Sequence, residues 1–424
     1  MKHRGYLAYG MLGLPLAMAS LPMYVQLPAY YTQQLGIPMA AVGYILFFTR
    51  ILDTAQDPFI GLLISKFKAN NKIWYIVGGM LMASAFAGLW LPPEVVRSHQ
   101  NLMLAWIALM LFIAYSAHSL LNIAYLSWGA ALGQQATGPS SSILLGAATW
   151  REGFGLLGVI LASIAPTFLL SANQEQRASN LQWYALLFAA ILCMAIIALL
   201  RYADKPLLGA EKQYVKLIDV IRNRLVRPLF VAYLINSLAV ALPASLMVFF
   251  VDQHLGANEE LPRFLVSYFL AGALGLPLWL LSAKRFGSRR VWQVSLLISI
   301  LAFIGAAFLS RGDANWYTLI CITSGLCLGA DLVLPPVLLS EQIGADQPLA
   351  SYFGVWTFLG KVALATSGLI LPLLDYLQTN QVFQNASKGL VDNLALVLCY
   401  ALIPCALKIL TFICLIDSHK RNSP

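Results

Sequence analysis

Residues 50–61 read RILDTAQDPFIG, and apolar sequence flanks them on both sides. Arg50, Asp53 and Asp57 are spaced i, i+3, i+7, so a helix presents all three on one face. A single charge at mid-bilayer costs roughly 2.5–3.5 kcal/mol on insertion scales. Three charges therefore demand a protein interior or a water-filled cavity. Two carboxylates one turn apart repel when both are ionised. Arg50 neutralises only one of them, which leaves the face one positive charge short. A proton or a Na⁺ ion would supply that charge, and Asp53 and Asp57 would be the metal ligands if the ion is Na⁺. Pro58 removes the helical donor for the carbonyl of Thr54, a candidate third oxygen ligand. The alternative is a structural ion pair of Arg50 with Asp53, with Asp57 capped by a neighbouring helix.

Other residue types suited to a polar ligand lie further along. His118, Asn122 and Tyr125 are spaced i, i+4, i+7, a stripe suited to hydroxyl or amide groups; the alternative is a packing histidine and a tyrosine bonded to a neighbouring helix. Arg151 and Glu152 are adjacent and point about 100° apart on a helix. The expectation is that Arg151 faces a cavity and Glu152 meets another helix. Asp331 and Lys361 are candidates for a structural or gating salt bridge with each other, and Trp356, five residues before Lys361, could stack on a sugar ring. The six Cys lie in apolar stretches without metal-ligand spacing and read as small buried side chains. No phosphate-cradling Gly loop or nucleophile elbow is present, so neither a resident cofactor nor a catalytic site is expected.

Helices must carry these residues through a membrane. Of 424 residues, 59% are hydrophobic and 11% charged, against about 25% charged in a soluble domain. Twelve apolar stretches reach the roughly 20 residues that a span requires. They cover 6–31, 38–65, 72–91, 101–131, 142–170, 181–201, 228–251, 262–283, 289–309, 316–341, 349–375 and 391–416. Of the 27 Lys and Arg, 18 fall at the termini and in even-numbered connections, five in odd-numbered ones, and four inside spans. That asymmetry predicts cytoplasmic termini and a multi-pass protein of the inner (plasma) membrane. The net charge of +9 describes the cytoplasmic face, because the basic residues are scattered over short loops; no nucleic-acid partner is expected.

The longest charged connection, 202–227, divides the chain into halves 1–201 and 228–424, and its KLIDVIRNRL segment reads as a short surface helix. The halves echo each other. Q-x-L-G closes the first span at 33–36 and the seventh at 253–256, and GLLISKF after the second span is matched by WLLSAKRFGSRR after the eighth. Both echoes are displaced by about 220 residues. The predicted fold is an all-α integral membrane protein of twelve transmembrane helices in two pseudo-symmetric six-helix bundles, the major-facilitator architecture with substrate near the midplane.

The motif R-x-x-D-x-x-x-D-P-x-x-G in a second span resembles the glycoside–pentoside–hexuronide:cation symporters. The resemblance extends to NIAYLSWGAAL (122–132), GADLVLPPVLLSEQI (329–343), Lys361 in FLGKVALA and Arg151 in TWREGFG. It implies that Asp53 and Asp57 bind the coupling cation with Arg50 nearby, that Arg151 lies near the sugar, and that Lys361 is the family's eleventh-span lysine. Asn122 stands where the family has a sugar-binding Asp, Ala131 replaces a common Glu, and Pro15 occupies about the place of a first-span Asp. The cation half of the pattern is intact and the sugar half is degraded.

The expected function is Na⁺- or H⁺-coupled symport of a small solute, a sugar or glycoside, by a monomer embedded in the lipid bilayer. The rival within the fold is a carrier of a siderophore, drug or lysolipid. A membrane enzyme would show clustered ligands or a catalytic motif, and a channel would need no duplicated halves.

Overall fold

The computed structural model describes residues 3–67, 72–134, 140–170, 174–205, 215–344, 346–370 and 395–422. Their regular structure is all helical: fifteen α-helices with short π and 3₁₀ turns, joined by short irregular connections, among the described residues. The first seven are α1 (His3–Gly10), α2 (Gly13–Ala29), α3 (Met39–Lys66), α4 (Lys72–Trp90), α5 (Glu94–Arg97), α6 (Gln100–Gln134) and α7 (Ser140–Leu170). Then follow α8 (Gln174–Tyr202), α9 (Leu217–Arg222), α10 (Arg227–Phe249), α11 (Leu261–Phe286), α12 (Ser288–Ile304), α13 (Ala314–Gln342), α14 (Leu349–Ser367) and α15 (Ile403–Asn422). The predicted short helix in the central connection is α9. Residues 206–214 of that connection, and 371–375 and 391–394 of the last two predicted spans, lie outside the described residues.

Ten of the described helical segments are long and apolar enough to cross a membrane. The remaining two predicted spans are present as helices. The first is divided into α1 and α2 by a turn at Met11–Leu12. The second, α3, runs unbroken for 28 residues through Pro58 but carries the charges of Arg50, Asp53 and Asp57. Large apolar side chains such as Phe48, Trp183, Leu301 and Phe308 are exposed, as helices facing lipid require.

The chain forms two compact units, residues 1–220 with 344–358, and residues 221–343 with 359–424. In the first unit, small residues let helices cross closely. A Cβ on Gly10 would stand 2.9 Å from the carbonyl of Trp150, so α1 and α7 touch along their backbones. Gly61 of α3 meets Gly354 of α14 in the same way: a Cβ on Gly354 would lie 2.7 Å from the carbonyl oxygen of Asp57. Ser65 and Ser351 hydroxyls join these helices at 2.8 Å. In the second unit, Gly275 and Gly329 make the α11–α13 crossing, with a Cβ on Gly329 falling 2.9 Å from the carbonyl of Gly272.

The Q-x-L-G echo has a structural counterpart. A π turn, Tyr30–Gln34, ends the first span, and another, Phe250–Leu255, ends the seventh. Each stops at a left-handed glycine, Gly36 (φ 69°) and Gly256 (φ 63°). Each is closed by an amide reaching six residues back, Ile37 N–H to Tyr31 O and Ala257 N–H to Val251 O, both 3.0 Å. Left-handed backbone at these two positions favours glycine. Aromatic clusters pack below both turns. Tyr30 and Tyr31 bond the carbonyls of Trp90 (3.1 Å) and Leu89 (2.7 Å), while Phe250 stacks on Tyr400 with centroids 4.0 Å apart.

Candidate functional site

The carboxylates of α3 are buried: Asp53 is 3% exposed and Asp57 fully enclosed. Arg50, one turn earlier on α3, is exposed. The burial follows from packing against α6. The Ser119 hydroxyl donates to Asp53 Oδ1 at 3.1 Å, and the Gln56 amide donates to the same oxygen at 3.3 Å. Gln56 Oε1 in turn accepts from the Ser116 hydroxyl at 2.8 Å. Thus an uncharged network of hydroxyls and an amide holds one carboxylate oxygen in place, and the other acidic side chain lies one turn further along. Thr54 directs its hydroxyl to the carbonyl of Arg50 at 2.8 Å.

Sequence reasoning missed Gln56, Ser116 and Ser119. Ser116 and Ser119 follow an i, i+3 spacing on the face of α6 next to the predicted His118–Asn122–Tyr125 stripe. The small hydroxyls in an otherwise apolar helix were the available signal. His118 and Asn122 are half-buried. Tyr125 is enclosed, and its hydroxyl donates to the carbonyl of Tyr9 at 2.6 Å while Tyr9 donates to the carbonyl of Tyr125 at 3.0 Å. This reciprocal clasp joins α6 to α1, the neighbouring-helix bond that the sequence offered as the alternative for Tyr125.

Arg151 and Glu152 do not diverge as expected. The guanidinium folds back on its neighbour, with Nε and one terminal nitrogen 2.9 and 2.6 Å from Glu152 Oε1. Pairing offsets the desolvation that either charge would suffer alone between helices. Trp356 is buried in the α14 segment that belongs to the first unit, and Lys361 is half-buried in the second.

The expected Asp331–Lys361 pairing is also corrected. Asp331 Oδ2 accepts from Lys408 Nζ of α15 at 2.8 Å, and its Oδ1 accepts from the indole of Trp292 at 2.8 Å. Lys408 reaches Asn236 Oδ1 of α10 at 3.4 Å as well. Both charged side chains are more than 90% buried. Four helices of the second unit thus meet in one charge-balanced cluster.

The family described as MFS/sugar transport protein matches residues 6–417. The chain is 23% identical over 407 residues to YjmB of Bacillus subtilis (strain 168), an uncharacterized symporter, covering 90% of this chain and 85% of that one. It is 24% identical over 388 residues to the human sodium-dependent lysophosphatidylcholine symporter 1, covering 79% and 69%. Among solved structures, a bacterial homologue of the iron transporter ferroportin in an outward-facing state superposes with a TM-score of 0.77 at 13% identity, covering 99% of this chain and all of that one. The E. coli fucose:proton symporter gives 0.71 at 16% identity, covering 97% and 98%. Whole-chain family match, helical architecture and the α3 motif agree: the chain belongs to the MFS/sugar transport family of the major facilitator superfamily, which includes the melibiose-like cation symporters, and is a multi-pass membrane transporter rather than an enzyme.

Proposed function

We propose that the protein is a cation-coupled symporter that moves a small solute, a sugar or glycoside, by alternating access, with Asp53 and Asp57 holding the coupling ion. The observation that carries this reading is the burial of two carboxylates one helical turn apart, with Ser119 and Gln56 fixing one of them. Two such groups are costly to ionise together, and a Na⁺ ion or a proton relieves the cost. Thr54, on the turn between them, is the proposed third oxygen source for Na⁺. Arg50, His118, Asn122, Tyr125, Arg151, Trp356 and Lys361 are the proposed solute contacts, with Glu152 setting the pose of Arg151. The protein acts as a monomer in the inner membrane with both termini cytoplasmic. A cysteine in place of Gly209 reports that orientation: labelling from the periplasmic side alone reverses it.

Uptake into proteoliposomes tests the function. A panel of sugars, glycosides and amphiphiles, offered under a Na⁺ gradient, a proton gradient or neither, should yield gradient-driven accumulation of one class. Accumulation of a lysolipid instead supports the second reading, which the resemblance to the lysophosphatidylcholine symporter favours. Equal rates with every gradient collapsed end the symport proposal.

A further inference from the structure

The second unit contains a cavity of about 350 Å³ lined by α10, α11, α12, α13 and α15. It lies within one six-helix unit and is lined by none of the residues assigned above to the cation or solute. Its walls are mainly apolar, with Val240, Met247, Leu265, Phe303 and Ile320 among them, and Asp331 and Lys408 close its polar end. An apolar cavity of about 150 Å³ accepts benzene, so this one has room for roughly a dozen non-hydrogen atoms.

The polar end restricts the occupant further. Asp331 receives a donor on each oxygen, from Trp292 and Lys408. Lys408 uses two donors, on Asp331 and Asn236. An ammonium has three, so one N–H is left for the cavity that Lys408 lines. The pair is already neutral as a whole. A charged ligand would add an uncompensated charge to a low-dielectric site, at high cost, whereas an uncharged oxygen acceptor would take the remaining N–H and leave the balance intact.

We propose that this cavity is a binding site for an uncharged amphiphile: an apolar body of about ten carbons ending in a hydroxyl, ether or ester oxygen that accepts from Lys408. The site operates whatever solute the transporter carries, because it is built from one unit.

The test uses the full chain in nanodiscs and 1-decanol bearing a mid-chain diazirine. Photolysis should place adducts on cavity residues, Met247, Cys321 and Cys405 among them, and leave exposed Cys193 unmodified. Unlabelled decanol should compete, while decane, decanoate and decyltrimethylammonium should each compete at least about tenfold less well. Competition by monohexanoylglycerol, which is of the cavity's size, identifies a glycerolipid as the source; competition by decanol without it identifies a free solute. Ala244→Trp and, separately, Val240→Phe should fill the cavity and remove the adducts. Each variant is checked for an unchanged unfolding temperature, so the folded one of the two decides. Adducts spread over the lipid-facing surface, adducts that persist in a filled folded variant, or equal competition by a charged decyl compound would each overturn the proposal.

Discussion

Asp53 and Asp331 are both buried aspartates on long membrane helices, yet their surroundings differ in kind. Asp331 accepts from a lysine and an indole contributed by separate helices, and its charge is balanced on the spot. Asp53 accepts from a serine and a glutamine, and a second buried acid follows one turn later on the same helix. A carboxylate matched to a fixed ammonium locks helices together. Two buried acids one turn apart on a single helix are, on our proposal, the place for a mobile cation. The two halves of one duplicated architecture thus use the same residue type for cohesion in one unit and, on our proposal, for coupling in the other.

The largest effect that would sharpen this contrast lies in the second unit. Asp331→Asn should lower stability by about 3–5 kcal/mol, because Lys408 is left charged and buried. Thermal unfolding in detergent measures it. The double variant Asp331→Leu/Lys408→Met should recover most of the loss; failure to recover would mean that the pair does more than balance charge. Asp57→Asn should behave in the opposite way. Cation-driven accumulation should disappear, a loss of about 1–3 kcal/mol of coupling, while the unfolding temperature stays level or rises. A large drop in stability without a change in coupling would make the two aspartates alike and dissolve the comparison.

Smaller effects follow at the contacts around α3. Gly354→Ala should cost roughly 1–3 kcal/mol through overpacking, since the new Cβ meets the Asp57 carbonyl. Unfolding temperature and transport rate should fall together, and a neutral substitution would show that the crossing can open. Ser119→Ala removes one bond to Asp53, worth about 0.5–1.5 kcal/mol. The cation concentration for half-maximal transport should rise severalfold at an unchanged maximal rate; an unchanged half-saturation would detach Ser119 from the cation.

Hydropathy made most spans legible because lipid imposes one requirement on every residue of a lipid-facing helix. The exception, α3, was legible for the reverse reason: its charges are so costly in an apolar setting that their spacing stands out. The partners of those charges were not legible. Ser116, Ser119 and Gln56 are ordinary residues whose meaning depends on which face of α6 meets α3, and side-chain spacing alone left adjacent faces open. Lys408 was harder, because it joins Asp331 across 77 positions of sequence and belongs to no motif. Arg151 and Glu152 show the converse error. Ideal helical geometry separates their Cβ vectors, but a long guanidinium stem bends back to a neighbouring carboxylate when that offsets burial.

The paired π turns at Tyr30–Gln34 and Phe250–Leu255 have a consequence for ancestry. A π turn amounts to a residue inserted into an α-helix, a strained state that is rare and recurs at functional positions. Both copies retain it, with the same glycine stop and the same six-residue closure, although little else of their sequences still matches. Independent insertion at equivalent places is a less economical history than inheritance from one ancestral six-helix unit. On that history the widened turn is older than the two-unit protein, and it has outlasted most of the residues that surrounded it.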